Sequence, residues 1–225
     1  MSETTAIIPT GTAQSDDDPG AYSLAVLAQL PAVEICADVY EGTLRLRERG
    51  RKYLPQFPKE ENDAYSERLN RAVFFNAYRK TLRGLVGMVF RKEPAIGDDV
   101  PEQIRPHLDN IDLSGRDVAM FAQDGFLSKL NFGHGVILVD WHGVEGARAA
   151  IDEAEARPYW VWIEKPQIRR FRVRSQYGAL IVESFAYAEL DVIRKGEFGE
   201  QAIERVRQFD LIDTSDGPRV QYRAW

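Results

Sequence analysis

The sequence predicts an α+β protein: helices come first and a mostly antiparallel sheet follows. Three observations carry this expectation. Glu60 to Phe90 contains no proline and consists mainly of good helix formers. From Pro158 the apolar period changes from helical to alternating, with Tyr159, Val161 and Ile163 interleaved with Trp160 and Trp162. Turn signals at Ser175-Gln176-Tyr177-Gly178 and at Asp216-Gly217-Pro218 then punctuate the alternating region, as hairpins require.

Met1 to Gly20 is rich in Ser, Thr, Asp and Gly, with aspartates at 16–18, and reads as a disordered arm. Residues 21–225 read as one α+β region. Tyr22–Leu30 and Ala32–Arg49 are expected as helical segments separated by Pro31, a residue that fits a first helical position. Val33, Cys36, Val39, Tyr40 and Leu44 give the second segment its apolar stripe, and Gly50 is placed to end it. The turn Tyr53-Leu54-Pro55-Gln56-Phe57-Pro58 follows. A long helix is then expected, with Asn62 and Asp63 able to cap its first turn.

That helix has an unusual wheel. At about 100° per residue, Tyr65, Leu69, Ala72 and Val73 share one side, opposite Glu67 and Arg71. After Phe74 the apolar side moves, and Phe75, Tyr78, Leu82, Leu85, Val86 and Val89 lie over what was the charged side. A straight helix on one small core keeps one face. The helix therefore either bends near Asn76 or meets different neighbours along its length. Tyr78, Leu82, Leu85, Val86 and Val89 are the candidate oligomer interface, with Tyr65, Leu69 and Val73 facing their own domain. A buried hairpin helix of an ordinary domain fits the same pattern.

Beyond Pro94, Ala95–Val100 is expected as a loop and Pro101–Leu108 as a short helix. Asp117 or Ser114 can cap a helix over about Arg116 to Phe132, with Val118, Phe121, Ala122, Gly125 and Phe126 on its buried side. Gly135–Trp141 is a continuous apolar run, the pattern of a strand covered on both faces. Gly143–Arg157 looks like a short exposed helix. Strands follow at Pro158–Glu164, Ile168–Val173, Leu180–Tyr187, Gln201–Phe209 and Val220–Trp225.

The chain of 225 residues, with 44% hydrophobic and 11% aromatic content, is that of a folded protein. Arginine is dense over 45–51 and 169–174, yet the net charge is −6, which excludes a globally basic nucleic-acid-wrapping surface. The single cysteine, Cys36, reads as a small buried hydrophobe and allows neither an internal disulfide nor a cysteine zinc site. No run has the length of a membrane span, and the N-terminus lacks the pattern of a secretion signal.

Chemistry has one candidate, in Gly133-His134-Gly135-Val136-Ile137-Leu138-Val139-Asp140-Trp141-His142. His134 and Asp140 stand at opposite ends of a strand, about 20 Å apart at about 3.3 Å per residue, and cannot share one ion. Asp140 and His142 point to one face, but two ligands without a third make an incomplete metal site. His107 stands alone in its short helix and is expected to be exposed. Walker-type glycine loops, Gly-x-Ser-x-Gly and His-Glu-x-x-His are absent from the sequence. Asp152, Glu153 and Glu155 read as a solvated face. Tyr159, Trp160 and Trp162 lack interleaved cations for stacking bases, so core or subunit interface is their expected use. No catalytic residue, metal ligand or cofactor is expected.

Several segments in order resemble a known family. They are Tyr53-Leu54-Pro55-x-x-Pro58, Tyr65, Arg68-Leu69, Arg71-Ala72, Phe75-Asn76 and Gly84-Leu85-x-Gly87-x-x-Phe90. Asp112-Leu113-Ser114-Gly115, Phe121-Ala122, Gly133-x-Gly135-x-x-x-Val139-Asp140, Arg157-Pro158-Tyr159 and Val182-Glu183 continue the series. Together they resemble tailed-phage portal proteins of a portal-like family formerly catalogued as a domain of unknown function. The resemblance implies a ring-shaped homo-oligomer, usually a dodecamer, at one capsid vertex of the virion, assembled in the host cytoplasm. It implies partners: further copies of itself, terminase, major capsid and scaffolding proteins, head-completion proteins, and DNA passing non-specifically, with no membrane. Members are longer than this chain. Their first half supplies much of the outer wing, and stem, clip and crown come later, so the resemblance covers a wing-like N-terminal part. The expectation is a structural portal component that hydrolyses nothing. The alternatives are a minor capsid or head–tail adaptor protein, or a metal-dependent enzyme using Asp140 and His142.

Overall fold

The computed structural model describes residues 18–141, 157–176, 178–215 and 217–225. The expected disordered arm lies outside these up to position 17, as do His142 and all but the last residue of the helix expected over 143–157. The α+β class holds, with helices first and an antiparallel sheet after them. The chain forms two compact units. One comprises the described N-terminal residues to Val33 together with Ile163–Trp225, and the other is Glu34–Trp162.

After a single helical turn, α1 (Leu24–Leu27), comes α2 (Leu30–Glu41). Pro31 sits in the first turn of α2, where its missing N–H loses no helical bond. The single helix expected over 32–49 is two helices. Gly42 adopts φ 89°, and α3 (Thr43–Arg49) starts anew. A side chain at Gly42 would place its Cβ 3.0 Å from Asn76 Nδ2. Gly50 ends α3 with φ 51°, as its position predicts. Leu44, beyond the break, is exposed and leaves the stripe, whereas Val33 and Ala37 are buried.

The long helix is also two. α4 spans Asn62–Arg71 and α5 spans Ala77–Val89, and Ala72 turns out of helix at ψ 130°. The break falls where the apolar side changes. Residues 72–76 give up helical hydrogen bonds and receive others. Arg47 Nε donates to the Ala72 carbonyl at 2.9 Å. Thr43 Oγ1 accepts from Phe74 N at 3.1 Å and donates back to its carbonyl at 3.3 Å. Asn76 Oδ1 accepts from Arg79 N at 2.8 Å and so caps α5. Its Nδ2 donates to the carbonyls of Val39 and Tyr40 at 2.9 and 3.0 Å, near the C-terminus of α2. Val73, expected to face the core, is 81% exposed because it lies in this extended segment, while Tyr65 is buried.

The helix expected from Pro101 is instead a 3₁₀ turn at Arg105–Asn110. α6 (Val118–Phe132) is capped by Asp117, whose carboxylate accepts from Met120 N at 2.7 Å, and it ends at Gly133. α5 packs on α6. β1 (Gly135–Trp141) pairs with β2 (Pro158–Glu164). β1 is not covered on both faces as expected: Ile137, Val139 and Trp141 are exposed at alternate positions. Gly125 lets α6 approach β2, since a Cβ there would lie 3.0 Å from the Trp162 ring. Phe121 meets Trp160 edge-on at 5.6 Å.

In the other unit, β3 (Ile168–Gln176), β4 (Ala179–Lys195), β5 (Gly199–Thr214) and β6 (Gly217–Ala224) form an antiparallel meander in chain order. Phe171, Phe185, Phe209 and Tyr222 stand opposite one another on successive strands. Their centroids are 6.3, 6.4 and 5.3 Å apart, a cross-strand aromatic row that fixes register. Ala186, Ala188 and Val206 form the buried cluster of the opposite face. α1 packs on β3, where Ser23 N donates to the Arg169 carbonyl at 2.8 Å. The buried Arg169 guanidinium lies 4.7 Å over the Tyr22 ring and bonds Glu204 at 3.0 Å.

β4 and β5 run well past the strands expected at 180–187 and 201–209. β3 pairs with β4 only as far as Tyr187, and β6 pairs with β5 only from Arg207. Trp225 carries that edge on to Val206 through two backbone hydrogen bonds of 3.1 Å, so residues 189–205 form a two-stranded ribbon, turning at Gly196 with φ 74°.

Candidate functional site

The candidate interface on α5 divides by face. Tyr78, Leu82, Val86 and then Phe90 recur every four residues on the side turned to α6. Leu82 and Val86 are buried, and Phe90 meets Phe126 edge-on at 5.8 Å. The Tyr78 hydroxyl donates to Asn131 Oδ1 at 3.0 Å. Burial first, and the neighbouring Cys36 thiol second, push its pKa up to about 12. These three candidates hold the chain's own fold. Leu85 and Val89 face outward, 39% and 57% exposed, beside Met88 at 66%. Around them the helix is cationic: 77–92 contains Arg79, Lys80, Arg83, Arg91 and Lys92 and no acidic residue.

The ribbon is a second surface, which the sequence reading missed. Register places Val192 opposite Ala202, Leu190 opposite Glu204 and Arg194 opposite Glu200, so these residues share one face. Leu190 and Val192 are exposed on it, and Phe198 at the turn is 91% exposed. A shallow open hollow at the tip is lined by Val192, Arg194, Glu197, Phe198, Gly199 and Glu200. The signal was available: Leu190-Asp191-Val192 continues the alternation of β4, and Lys195-Gly196-Glu197 is a turn signal.

Asp140 is half-buried. Its Oδ2 accepts from the Tyr159 hydroxyl at 3.1 Å and its Oδ1 from Trp141 N at 2.9 Å. Its proposed partner His142 lies outside the described residues. His134 is exposed at the other end of β1. His107, expected to be exposed, is half-buried, and Cys36, expected to be buried, is half-buried as well. Among the described residues no group of three His, Cys, Asp or Glu side chains could hold a metal, and no helix is long and apolar enough to cross a membrane.

Charged groups in and next to the motif segments build corners. Asp38, fully buried on α2, accepts from Arg45 Nε at 3.0 Å, Arg49 Nε at 3.1 Å and the Tyr53 hydroxyl at 2.8 Å. Burial raises its pKa, but these donors outweigh burial and hold the carboxylate below its ordinary value. Asp38 was not foreseen, although its spacing from Glu34 matches that of Arg45 from Arg49. Arg68 donates two hydrogen bonds to the Glu60 carboxylate at 2.7 and 2.8 Å and a third to the Pro55 carbonyl at 2.9 Å. Its guanidinium also lies 4.6 Å over the Phe57 ring. Asp112 accepts from the backbone N–H groups of Ser114 and Arg116 and from the Arg116 guanidinium, closing the Asp112–Gly115 turn in which Leu113 has φ 61°.

Compared with protein-family models and with curated proteins, the chain matches none.

Proposed function

We propose that this chain is a structural, non-catalytic component of a phage portal ring, corresponding to part of the wing. The observation that carries the reading is the ordered series of segments from Tyr53 to Val182, whose residues build specific corners: Arg68 with Glu60 and Pro55, Asn76 between α2 and α5, and Asp112 in its turn. Outward-facing apolar residues on α5 and on the ribbon support an assembly role, because exposed apolar groups that serve no internal packing mark interaction surfaces. The portal's partners in this reading are further copies of the chain, terminase, capsid and scaffolding proteins and head-completion proteins, with DNA passing through the channel.

The test is electron microscopy of the purified chain at rising concentration, alone and co-produced with portal stem, clip and crown segments. Closed rings with a central channel are expected. Single copies docked onto a ring made by another protein would make the chain an adaptor and refute the reading.

A further inference from the structure

We infer that the acidic arm at the N-terminus of this chain binds an arginine face on the chain's own four-stranded sheet. The contact lies within one copy and does not rest on the portal reading. Register defines the face. Arg172, Ser184, Asp210 and Gln221 stand opposite one another across β3 to β6, and Arg170, Ala186, Gln208 and Arg223 form the neighbouring row. Arg219, two residues from Gln221 and opposite Ile212, lies on the same side. The acid among them, Asp210, is occupied: it accepts from Ser184 Oγ, Gln208 Nε2 and the Arg223 guanidinium. Glu183 sits at the bulge of β4 beside Arg172 and forms no ion pair among the described residues. Arg172, exposed, and Arg170, half-buried, likewise have no hydrogen bond or ion pair among the described residues.

Charge and position select the occupant. Before Arg45 the chain has no lysine or arginine, and its first acids are Glu3, Asp16, Asp17 and Asp18. Residues 1–17 lie outside the described ones, and the described chain starts on the arginine side of the sheet. A Cβ at Gly20 would lie 3.7 Å from Val206 Cγ2, and Val206 precedes Gln208 by two residues on that face. At about 3.3 Å per residue, the row of Arg170 and Arg223 is about 7 Å from Val206. Asp17 and Asp16 are three and four residues from Gly20, a reach of about 10–14 Å. Asp18 is already engaged, accepting from Gly20 N at 2.8 Å. The other direction, along the ribbon, offers no surplus cation. Arg194 and Lys195 stand against Glu197 and Glu200 there, and Glu204 is bridged to Arg169.

Exposed ion pairs are individually weak. The short tether offsets this by holding the aspartates at an effective concentration on the order of mM. The arm is then a strap: it neutralises Arg170 and Arg172 and closes the face to other anions until salt releases it.

The experiment is nuclear magnetic resonance relaxation on the whole isotope-labelled chain. At about 0.05 M salt the Asp16 and Asp17 amides are expected to relax like those of β5, and at about 1 M salt like a free chain end. Asp16→Asn with Asp17→Asn is expected to free the arm and to shift the Arg172 Nε–H signal. Arg170→Gln with Arg172→Gln is expected to free the arm with an unchanged thermal melt; the aspartate pair keeps the test independent of any effect of the arginines on folding. Reversing both signs, with Asp16→Lys and Asp17→Lys alongside Arg170→Glu and Arg172→Glu, is expected to restore the restricted arm. An arm that is mobile in the wild type at low salt would overturn the inference, as would restriction that survives either pair of neutral substitutions. Restriction lost on dilution would overturn it too, because the arm would then serve another copy.

Discussion

Replacing Asn76 by alanine tests why the long helix is broken. The side chain performs two tasks. Its Oδ1 caps α5 by accepting from Arg79 N, and its Nδ2 holds the Val39 and Tyr40 carbonyls. Loss of an N-cap costs about 1 kcal/mol. Each neutral hydrogen bond is worth about 1 kcal/mol net. Sharing one side chain makes the contributions non-additive, so the expected loss is about 2–3 kcal/mol. Urea denaturation followed by circular dichroism measures it. Asn76→Asp separates the tasks: it keeps the cap acceptor and adds a charge favourable at a helix N-terminus, but it loses both donors and turns an anion toward two carbonyls. Aspartate should therefore be no better than alanine. Wild-type stability in Asn76→Asp would show that the ties to α2 contribute nothing. Greater helicity in Asn76→Ala, with unchanged stability, would mean that α4 and α5 fuse readily, and the account of the break would be wrong.

Leu82→Ala should lower stability by about 2–5 kcal/mol, because Leu82 is buried against α6, whereas Leu85→Ala should cost under about 1 kcal/mol; paired thermal melts decide. Asp38→Asn removes a buried carboxylate from its arginines. Such losses run to about 3–5 kcal/mol, and Arg45 and Arg49 keep about a quarter of their side-chain surface in water, so about 3 kcal/mol is expected in urea melts at pH 7. Asp38 and Asp112 are buried and Asp210 is half-buried, which raises their pKa, but their hydrogen-bond donors lower it more, leaving folded values below the ordinary 3.8. The unfolded chain thus binds the proton first. Their contribution is complete above about pH 5, begins to fall as the pH approaches 3.8, and is lost as it drops on through the folded values; urea midpoints flat from pH 5 down to pH 2 would contradict it. Gly125→Ala pushes a methyl to 3.0 Å from the Trp162 ring and should cost about 1–3 kcal/mol, with a shift in tryptophan emission.

What was legible in the sequence followed from local rules. Asp117 as a cap, Gly50 and Gly133 as helix ends and the alternation from Pro158 each rest on a residue and its immediate neighbours. The apolar jump near Phe74 marked the break correctly, but periodicity alone could not distinguish a bend from a change of neighbours. The decisive bonds run from Asn76 and Phe74 to residues more than thirty positions away. The same limit applies at Gly42, where a Cβ would lie 3.0 Å from Asn76 Nδ2, an approach that no local rule reveals. The interface candidates were split for a related reason. A wheel groups Leu82 with Leu85, and only the position of α6 decides which is covered. The ribbon was missed because its charged alternate residues weaken the strand pattern, although Arg205 and Asp191 pair across it and Arg207 bonds Glu189 at its base.

The perturbed carboxylates argue about where function lies. A general acid or base needs a proton that moves near working pH and a lone pair free to receive it. Asp38 and Asp112 have the opposite character: each is held ionised, and each is occupied by at least three donors from the surrounding backbone and side chains. Their shifts are explained by the corners they close. Asp140, the one acid proposed for chemistry, is likewise engaged by Tyr159 and the Trp141 backbone. Leu85, Met88, Val192 and Phe198 have no such internal explanation. They lie on ordered helix or hairpin, and leaving them in water costs about 25 cal/mol for each Å² of apolar surface. In the portal reading proposed above, that exposed surface is the part of the molecule assigned to assembly.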